Sequence, residues 1–161
     1  MEFNIQSEKE LEGVVEEIYN ALIMKMALEE RTGKQYGAIT IGLFGDLGAG
    51  KTFITRSIIK NSGWKDLVKS PTYTLCEEYD LGEILFLHID LYRTNEAQDI
   101  DIFDLNRGSH KKKIILIEWP ERLQFERKFD LKINFFHYEN KRKINITYGT
   151  DIFKALEKNY V

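Results

Sequence analysis

The residues with the clearest chemical potential form a glycine-rich stretch over residues 45–52. Its sequence, Gly45-Asp46-Leu47-Gly48-Ala49-Gly50-Lys51-Thr52, fits the pattern G-x-x-x-x-G-K-[ST] at every fixed position. Glycines let consecutive backbone N–H groups turn inward around a phosphate, and a following helix adds the partial positive charge of its N-terminus. In this pattern the lysine reaches the β- and γ-phosphates and the next hydroxyl binds Mg²⁺. The stretch therefore predicts a nucleoside triphosphate and Mg²⁺, held by Lys51 and Thr52.

Two carboxylates directly follow apolar runs that are typical of buried strands. Asp90 ends the run Phe86-Leu87-His88-Ile89, and Glu118 ends the run Ile114-Ile115-Leu116-Ile117. An unpaired buried carboxylate is costly, and a bound cation would remove that cost. Either acid could therefore stand beside the metal, or could instead face solvent at the end of its strand. We interpret His88 as a strand residue without a catalytic role, and we expect Lys51 to be an exposed loop residue.

The elements that must position these residues follow from hydrophobic periodicity. A short strand over 3–5 precedes a helix over 8–30, whose start carries the capping-box spacing of Ser7 and Glu10. A buried strand over 38–44 and a helix over 52–60 flank the glycine-rich stretch, and 114–117 is a second buried strand. Two stretches, 73–79 and 84–90, predict an antiparallel hairpin, and the alternating residues of 131–135 and 144–148 predict a hairpin at the sheet edge. Short helices are expected over 95–105 and from Asp151.

Composition limits the class of protein. The chain has 161 residues, 43% of them hydrophobic, and a formal net charge of −3. This size favours one α/β domain over 1–161, and no apolar run is long enough to span a membrane. The N-terminus lacks the basic and apolar regions of a secretory signal, and the single cysteine, Cys76, fits a reducing compartment. We therefore expect a cytoplasmic protein that does not bind membranes, with Cys76 inert in the core.

Four segments in order resemble one family. They are the glycine-rich stretch, Ser70-Pro71-Thr72-Tyr73-Thr74-Leu75, His88-Ile89-Asp90-Leu91-Tyr92-Arg93 and Glu118-Trp119-Pro120-Glu121. Together they resemble the TsaE (YjeE) family of small ATPases in bacterial tRNA N6-threonylcarbamoyladenosine (t6A37) synthesis. The resemblance is close over about residues 38–122. It implies a P-loop NTPase fold with a mostly parallel central sheet, flanked by helices and extended by antiparallel hairpins.

The resemblance also implies a set of roles. The chain would be a Mg²⁺-dependent ATP hydrolase that acts on the complex of TsaB and TsaD to permit repeated turnovers, and would meet tRNA only indirectly. Glu118 would complete the metal site with Thr52, while Asp90 would lie beside it, through a metal-bound water or by orienting the attacking water. The ATP-binding positions would be Asp46, Gly48, Ala49, Gly50, Lys51, Thr52 and Phe53. In this chain Phe53 stands where the family usually has a second threonine, and this position would supply mainly its backbone N–H to the α-phosphate.

A switch and partner region would complete the site. By resemblance, Ser70, Pro71 and Thr72 would form a segment that senses the γ-phosphate. The positions expected near the nucleotide or the partner are Tyr92, Arg93 and Trp119.

Two other functions remain open at this point. A small-molecule kinase on the same scaffold suits the length and the loop, although the chain has no arginine-rich lid segment of the kind that clamps a transferred phosphoryl group. A nucleic-acid-binding module could use the bases that predominate over 107–143, although the net charge of −3 argues against broad phosphate neutralisation.

Overall fold

The described part of the chain is built from seven strands, two helices and one short 3₁₀ helix. The computed structural model describes residues 2–31, 38–93, 111–123, 126–138 and 141–149. The elements are β1 (Glu2–Ile5), α1 (Glu8–Arg31), β2 (Ile39–Phe44), α2 (Lys51–Asn61), β3 (Cys76–Asp80), β4 (Ile84–Asp90), β5 (Lys112–Glu118), the 3₁₀ helix (Pro120–Arg122), β6 (Leu131–Tyr138) and β7 (Lys141–Tyr148). No helix within the described ranges is long and apolar enough to cross a membrane.

The strands form one mixed sheet in the order β1-β7-β6-β2-β5-β4-β3. The central strands β6, β2, β5 and β4 are parallel, whereas β1, β7 and β3 pair antiparallel with their neighbours. Since parallel strands end at the same edge, the carboxyl ends of β2, β5 and β4 lie side by side. Asp90 and Glu118 are direct partners in the β4–β5 register.

The sheet has a hydrophobic cluster on each face. Both helices pack on one face, where α1 and α2 side chains join the strand residues Ile41, Leu116 and Ile133 in the larger cluster. The opposite face carries a smaller cluster that includes Leu87 and Ile117. Burial on both faces explains why β2, β4 and β5 are nearly continuous apolar runs rather than alternating ones.

The start of α1 confirms the capping interaction expected there, with one shift. The Ser7 hydroxyl accepts a hydrogen bond from the Glu10 backbone N–H at 3.3 Å. The Glu10 carboxylate reaches back to the N–H of Gln6 rather than to that of Ser7. Both bonds satisfy backbone donors around the helix start that would otherwise lack partners.

Two expectations about strands were wrong. The hairpin of β6 and β7 is not at the sheet edge, because the N-terminal strand β1 pairs with β7 and β2 pairs with β6. The first strand of the other hairpin begins at Cys76 rather than at 73, since 72–74 form a turn and Leu75 has a positive φ of 63°. The helices expected over 95–105 and from Asp151 lie outside the described residues.

Candidate functional site

The glycine-rich loop joins the end of β2 to the start of α2 and packs against β6. Gly45 has a φ of 137°, and a Cβ atom on it would lie 2.8 Å from the backbone oxygen of Phe135. Only glycine fits this backbone conformation and this close approach. At the other end of the loop, Gly50 precedes α2, and no side chain caps the helix. The first N–H groups of α2 therefore point toward the loop without a side-chain acceptor, as in sites that bind anions.

Lys51 folds back over the loop. Its ammonium group donates hydrogen bonds to the backbone oxygens of Gly45 at 2.6 Å and of Asp46 at 2.8 Å. The same group lies 3.8 Å from the centroid of the Trp119 ring, a cation–π contact. The side chain is only 4% exposed, so the expectation of an exposed lysine was wrong. The loop carbonyl oxygens and the indole ring surround the Lys51 ammonium group, which the sequence pattern alone predicts to be in solvent.

The electrostatic surroundings of Lys51 are acidic. Burial lowers the pKa of the Lys51 ammonium, and the nearby carboxylates of Glu118, Glu121, Asp90 and Asp46 oppose this change. Several carboxylates around one ammonium leave an excess of negative charge next to the loop. Such a site can take a cation together with a phosphate chain, because each neutralises the other.

A buried chain of hydrogen bonds links α2, β5 and β4. The Thr52 hydroxyl donates to Oε2 of Glu118 at 2.8 Å, and Nε2 of His88 lies 2.8 Å from Oε1 of the same carboxylate. Glu118 is 2% exposed and His88 is fully buried. The structure therefore brings together the hydroxyl and the carboxylate that the sequence assigned to a metal. It also adds His88, for which sequence reasoning predicted no role in the site.

Asp90 takes part in a second chain of hydrogen bonds. Its Oδ2 accepts from the Thr72 hydroxyl at 2.9 Å, and its Oδ1 accepts from the backbone N–H of Tyr92 at 3.0 Å. The Ser70 hydroxyl lies 2.9 Å from that of Thr72. Because the single Thr72 proton goes to the carboxylate, Ser70 is the donor in this contact. Asp90 thus fixes the segment around Pro71 to the end of β4.

Aromatic and guanidinium groups form the rim of the site. The rings of Tyr92 and Trp119 are 5.1 Å apart, and the Arg122 guanidinium lies within 6 Å of both centroids, at 5.6 and 5.9 Å. Arg93 lies over the ring of Tyr73 at 4.6 Å. Trp119 has a φ of 59°, which is unusual for a bulky residue. This turn sends the chain into the 3₁₀ helix that begins at Pro120, and it directs the indole ring over the loop lysine.

These groups enclose a cleft of about 550 Å³ at the carboxyl edge of the sheet. Every predicted site residue lines this cleft except Asp46 and Pro71. Sequence reasoning missed Leu47, which also lines the cleft, and Arg122 at its rim. His88 was detectable in principle, because it lies two residues before Asp90 and so shares its face of β4.

A second groove, of about 870 Å³, runs between α1 and α2. Phe53 lines both this groove and the cleft. Gly13 widens the groove on the α1 side, since no atom lies within 4 Å of the position that a Cβ would occupy there. The two spaces therefore share Phe53, in the first turn of α2, as a common wall.

Similarity to known proteins identifies the family of this chain. The family model described as "Threonylcarbamoyl adenosine biosynthesis protein TsaE" matches residues 5–144. A protein named tRNA threonylcarbamoyladenosine biosynthesis protein TsaE from Haemophilus influenzae is 37% identical over 120 residues, which cover 74% of this chain and 76% of that protein. The protein of the same name from Aquifex aeolicus is 37% identical over 115 residues, covering 68% of this chain and 77% of its own length.

The fold is also found among solved structures. The crystal structure of YdiB from Bacillus subtilis superimposes with a TM-score of 0.64 at 22% identity, covering 100% of this chain and 96% of that one. At this identity the likeness concerns the fold alone. Because the TsaE family model matches residues 5–144, most of this sequence, the chain belongs to the TsaE family.

Proposed function

We propose that this protein is a Mg²⁺-dependent ATPase subunit of tRNA threonylcarbamoyladenosine synthesis, acting on the TsaB–TsaD complex. The observation that carries the proposal is the 2.8 Å contact between the Thr52 hydroxyl and Glu118, directly beside Lys51 and the uncapped start of α2. The names of the family model and of the relatives supply the pathway.

The loop supports the binding of a triphosphate. Lys51 and the first N–H groups of α2 converge on the cleft, and together they would bind the β- and γ-phosphates. The groove between α1 and α2 would receive the remainder of the nucleotide, with Phe53 at the junction of the two spaces. ATP is the nucleotide that the family resemblance implies.

Thr52 and Glu118 fit Mg²⁺. An octahedral Mg²⁺ with ligands at about 2.1 Å holds neighbouring ligand oxygens about 3 Å apart. The two side-chain oxygens here are 2.8 Å apart, and both are hard oxygen donors of the kind that Mg²⁺ prefers. When bound, Mg²⁺ neutralises negative charge on the phosphate oxygens. Its presence would also compensate the acidic surroundings of Lys51.

Asp90 is suited to a different task. Both of its oxygens accept hydrogen bonds, one from Thr72 and one from the backbone of Tyr92, so the carboxylate is held at the end of β4. From there it would lie beside the metal site through a metal-bound water, or would orient the attacking water. Ser70 and Thr72 would sense the γ-phosphate, since both residues line the same cleft as Lys51 and Glu118.

A reconstituted modification reaction tests the proposal. The purified chain is added to TsaB and TsaD of the same organism with tRNA, ATP, Mg²⁺ and the threonylcarbamoyl donor, and modified tRNA per TsaD is measured over time. We expect repeated turnovers only when the chain and ATP are both present. Thr52→Ala should remove this effect and Thr52→Ser should retain it, because serine keeps the hydroxyl.

Two results would contradict the proposal. Turnover that is the same with and without the chain would exclude a role in resetting the complex. Full activity of Thr52→Ala would exclude the Mg²⁺ site at Thr52 and Glu118. A pull-down of TsaB and TsaD by the chain, with and without ATP, separates loss of partner binding from loss of hydrolysis.

A further inference from the structure

His88 is a buried polar residue that packing alone does not explain. It lies in β4 with its side chain fully buried, and its Nδ1 has no hydrogen-bond partner among the described residues. A buried nitrogen without a partner is unfavourable, so an apolar residue would serve better if the position only filled space. The contact that justifies an imidazole here is the one made by Nε2, at 2.8 Å from Oε1 of Glu118.

The partners of Glu118 fix the direction of this hydrogen bond. A carboxylate only accepts, so Nε2 carries a proton and donates this hydrogen bond. The other oxygen, Oε2, accepts from Thr52. The two carboxylate oxygens are therefore divided between two neighbours, with one oxygen tied to the sheet and the other facing the first turn of α2.

We propose that His88 is a positioning residue that holds Glu118 so that its Oε2 faces the Mg²⁺ of a bound nucleotide. This inference rests on the proposed function, because it requires Thr52 and Glu118 to be the metal-binding pair. Residues that donate hydrogen bonds to a metal ligand orient it, and their loss weakens metal binding.

The geometry explains why Thr52 cannot replace His88 in this role. When the Thr52 hydroxyl binds a cation, it uses a lone pair for the metal. Thr52 and Glu118 are then two ligands of the same ion, and their contact no longer fixes the carboxylate by itself. Among the described residues, the hydrogen bond from His88 to Oε1 is then the one that remains to set the rotation of the Glu118 carboxylate. Without it, the carboxylate can turn about its last side-chain bond, and Oε2 leaves the position beside Thr52.

The test measures metal binding rather than activity. The wild-type protein, His88→Leu and His88→Gln are titrated with a fluorescent ATP analogue at a series of Mg²⁺ concentrations and in EDTA. The leucine cannot donate a hydrogen bond, whereas the glutamine amide can reach the place of Nε2. We expect the apparent Mg²⁺ dissociation constant to rise about tenfold or more in His88→Leu and to stay within about threefold of wild type in His88→Gln. The affinity in EDTA should be the same in all three proteins.

Each outcome is informative. Wild-type Mg²⁺ dependence in His88→Leu would overturn the inference, and so would an equal loss in both variants, because a donor in the right place should restore binding. Should His88→Leu fail to fold, His88→Asn replaces it, because the asparagine side chain is one methylene shorter than that of glutamine and its amide cannot reach Glu118. Equal Mg²⁺ dissociation constants for His88→Asn and His88→Gln would then overturn the inference. A wild-type protein that binds no nucleotide at any Mg²⁺ concentration would overturn the proposed function itself.

Discussion

Replacement of Gly45 by alanine tests how the phosphate-binding loop is held against the sheet. Gly45 has a φ of 137°, a region that side chains rarely adopt. Its Cβ would lie 2.8 Å from the backbone oxygen of Phe135 and 2.9 Å from the Cβ of the same residue. Since Phe135 belongs to the interior strand β6, the backbone on that side has little freedom to move away. Gly45→Ala must therefore displace the loop or strain it.

The size of the effect follows from these two contributions. The unfavourable φ costs about 1–3 kcal/mol, and forcing a methyl group into a packed position costs a further 1–3 kcal/mol or so. A central value is about 4 kcal/mol of unfolding free energy, which corresponds to a decrease in Tm of about 12 °C for a domain of this size. Gly48 provides the matched control in the same loop. Its φ is 75°, and no atom lies within 4 Å of the position of a Cβ, so Gly48→Ala should cost about 1 kcal/mol.

Thermal unfolding of both variants, monitored by circular dichroism, measures the difference. Both alanines reduce the entropy of the unfolded chain equally, so this contribution cancels in the comparison. What remains is the contact with Phe135 together with the greater backbone strain at Gly45, and we expect Gly45→Ala to unfold about 9 °C below Gly48→Ala. Equal melting temperatures would refute the reasoning, because they would mean that the loop does not rest on β6 in solution.

Three further predictions concern single side chains. Lys51→Ala should abolish ATP hydrolysis. It should also lower the free energy of unfolding by about 1–2 kcal/mol, because the substitution removes two hydrogen bonds and a cation–π contact of the buried ammonium. A denaturant titration that matches wild type would contradict the observed burial. Nucleotide binding should change tryptophan emission through Trp119, whose ring centroid lies 3.8 Å from the ammonium of Lys51, the residue proposed to bind the phosphates. Trp119→Phe, which keeps Trp64, should lose that change, and an unaltered signal would assign it to Trp64 instead. Partial burial raises the pKa of the Cys76 thiol from 9.0 to about 12, so at pH 8 the thiolate fraction is about a thousandfold lower in the folded than in the unfolded chain. Iodoacetamide should label Cys76 slowly until denaturant is added, and fast labelling of native protein would contradict the raised pKa.

The parts of the site that the sequence predicted correctly depend on local patterns. The loop and the helix after it follow from a contiguous motif, and the ends of β2 and α2 agree with the prediction to within one residue. The meeting of Asp90 and Glu118 follows from a rule about parallel strands, because both acids end apolar runs and such runs end at one edge of a sheet. These inferences need no knowledge of how distant segments pack.

The parts that could not be predicted depend on distant segments. The pairing of β1 with β7 joins Glu2–Ile5 to residues near the other end of the chain, and a four-residue strand carries no signal for its partner. The burial of Lys51 depends on the turn at Trp119, whose positive φ is not expected for tryptophan. Tyr79 is a similar case, because its hydroxyl contacts the backbone of Lys69 and so supports the segment before Ser70.

The hydrogen-bond partners of the two carboxylates favour different roles for them in the proposed mechanism. Glu118 is bound by side chains from α2 and β4, both regular elements, so its position is fixed by the sheet and by the helix that follows the loop. Asp90 is bound instead by Thr72 and by the backbone of Tyr92, which lie in the segments after α2 and after β4. A rigid carboxylate is suited to a constant ligand set, since Mg²⁺ demands near-ideal geometry. A carboxylate that connects two loops is suited to respond when either loop moves. Although the two acids are neighbours in one strand register, these contacts support Glu118 as the metal residue of the proposed site and Asp90 as the connection between the segment proposed to sense the γ-phosphate and the aromatic rim.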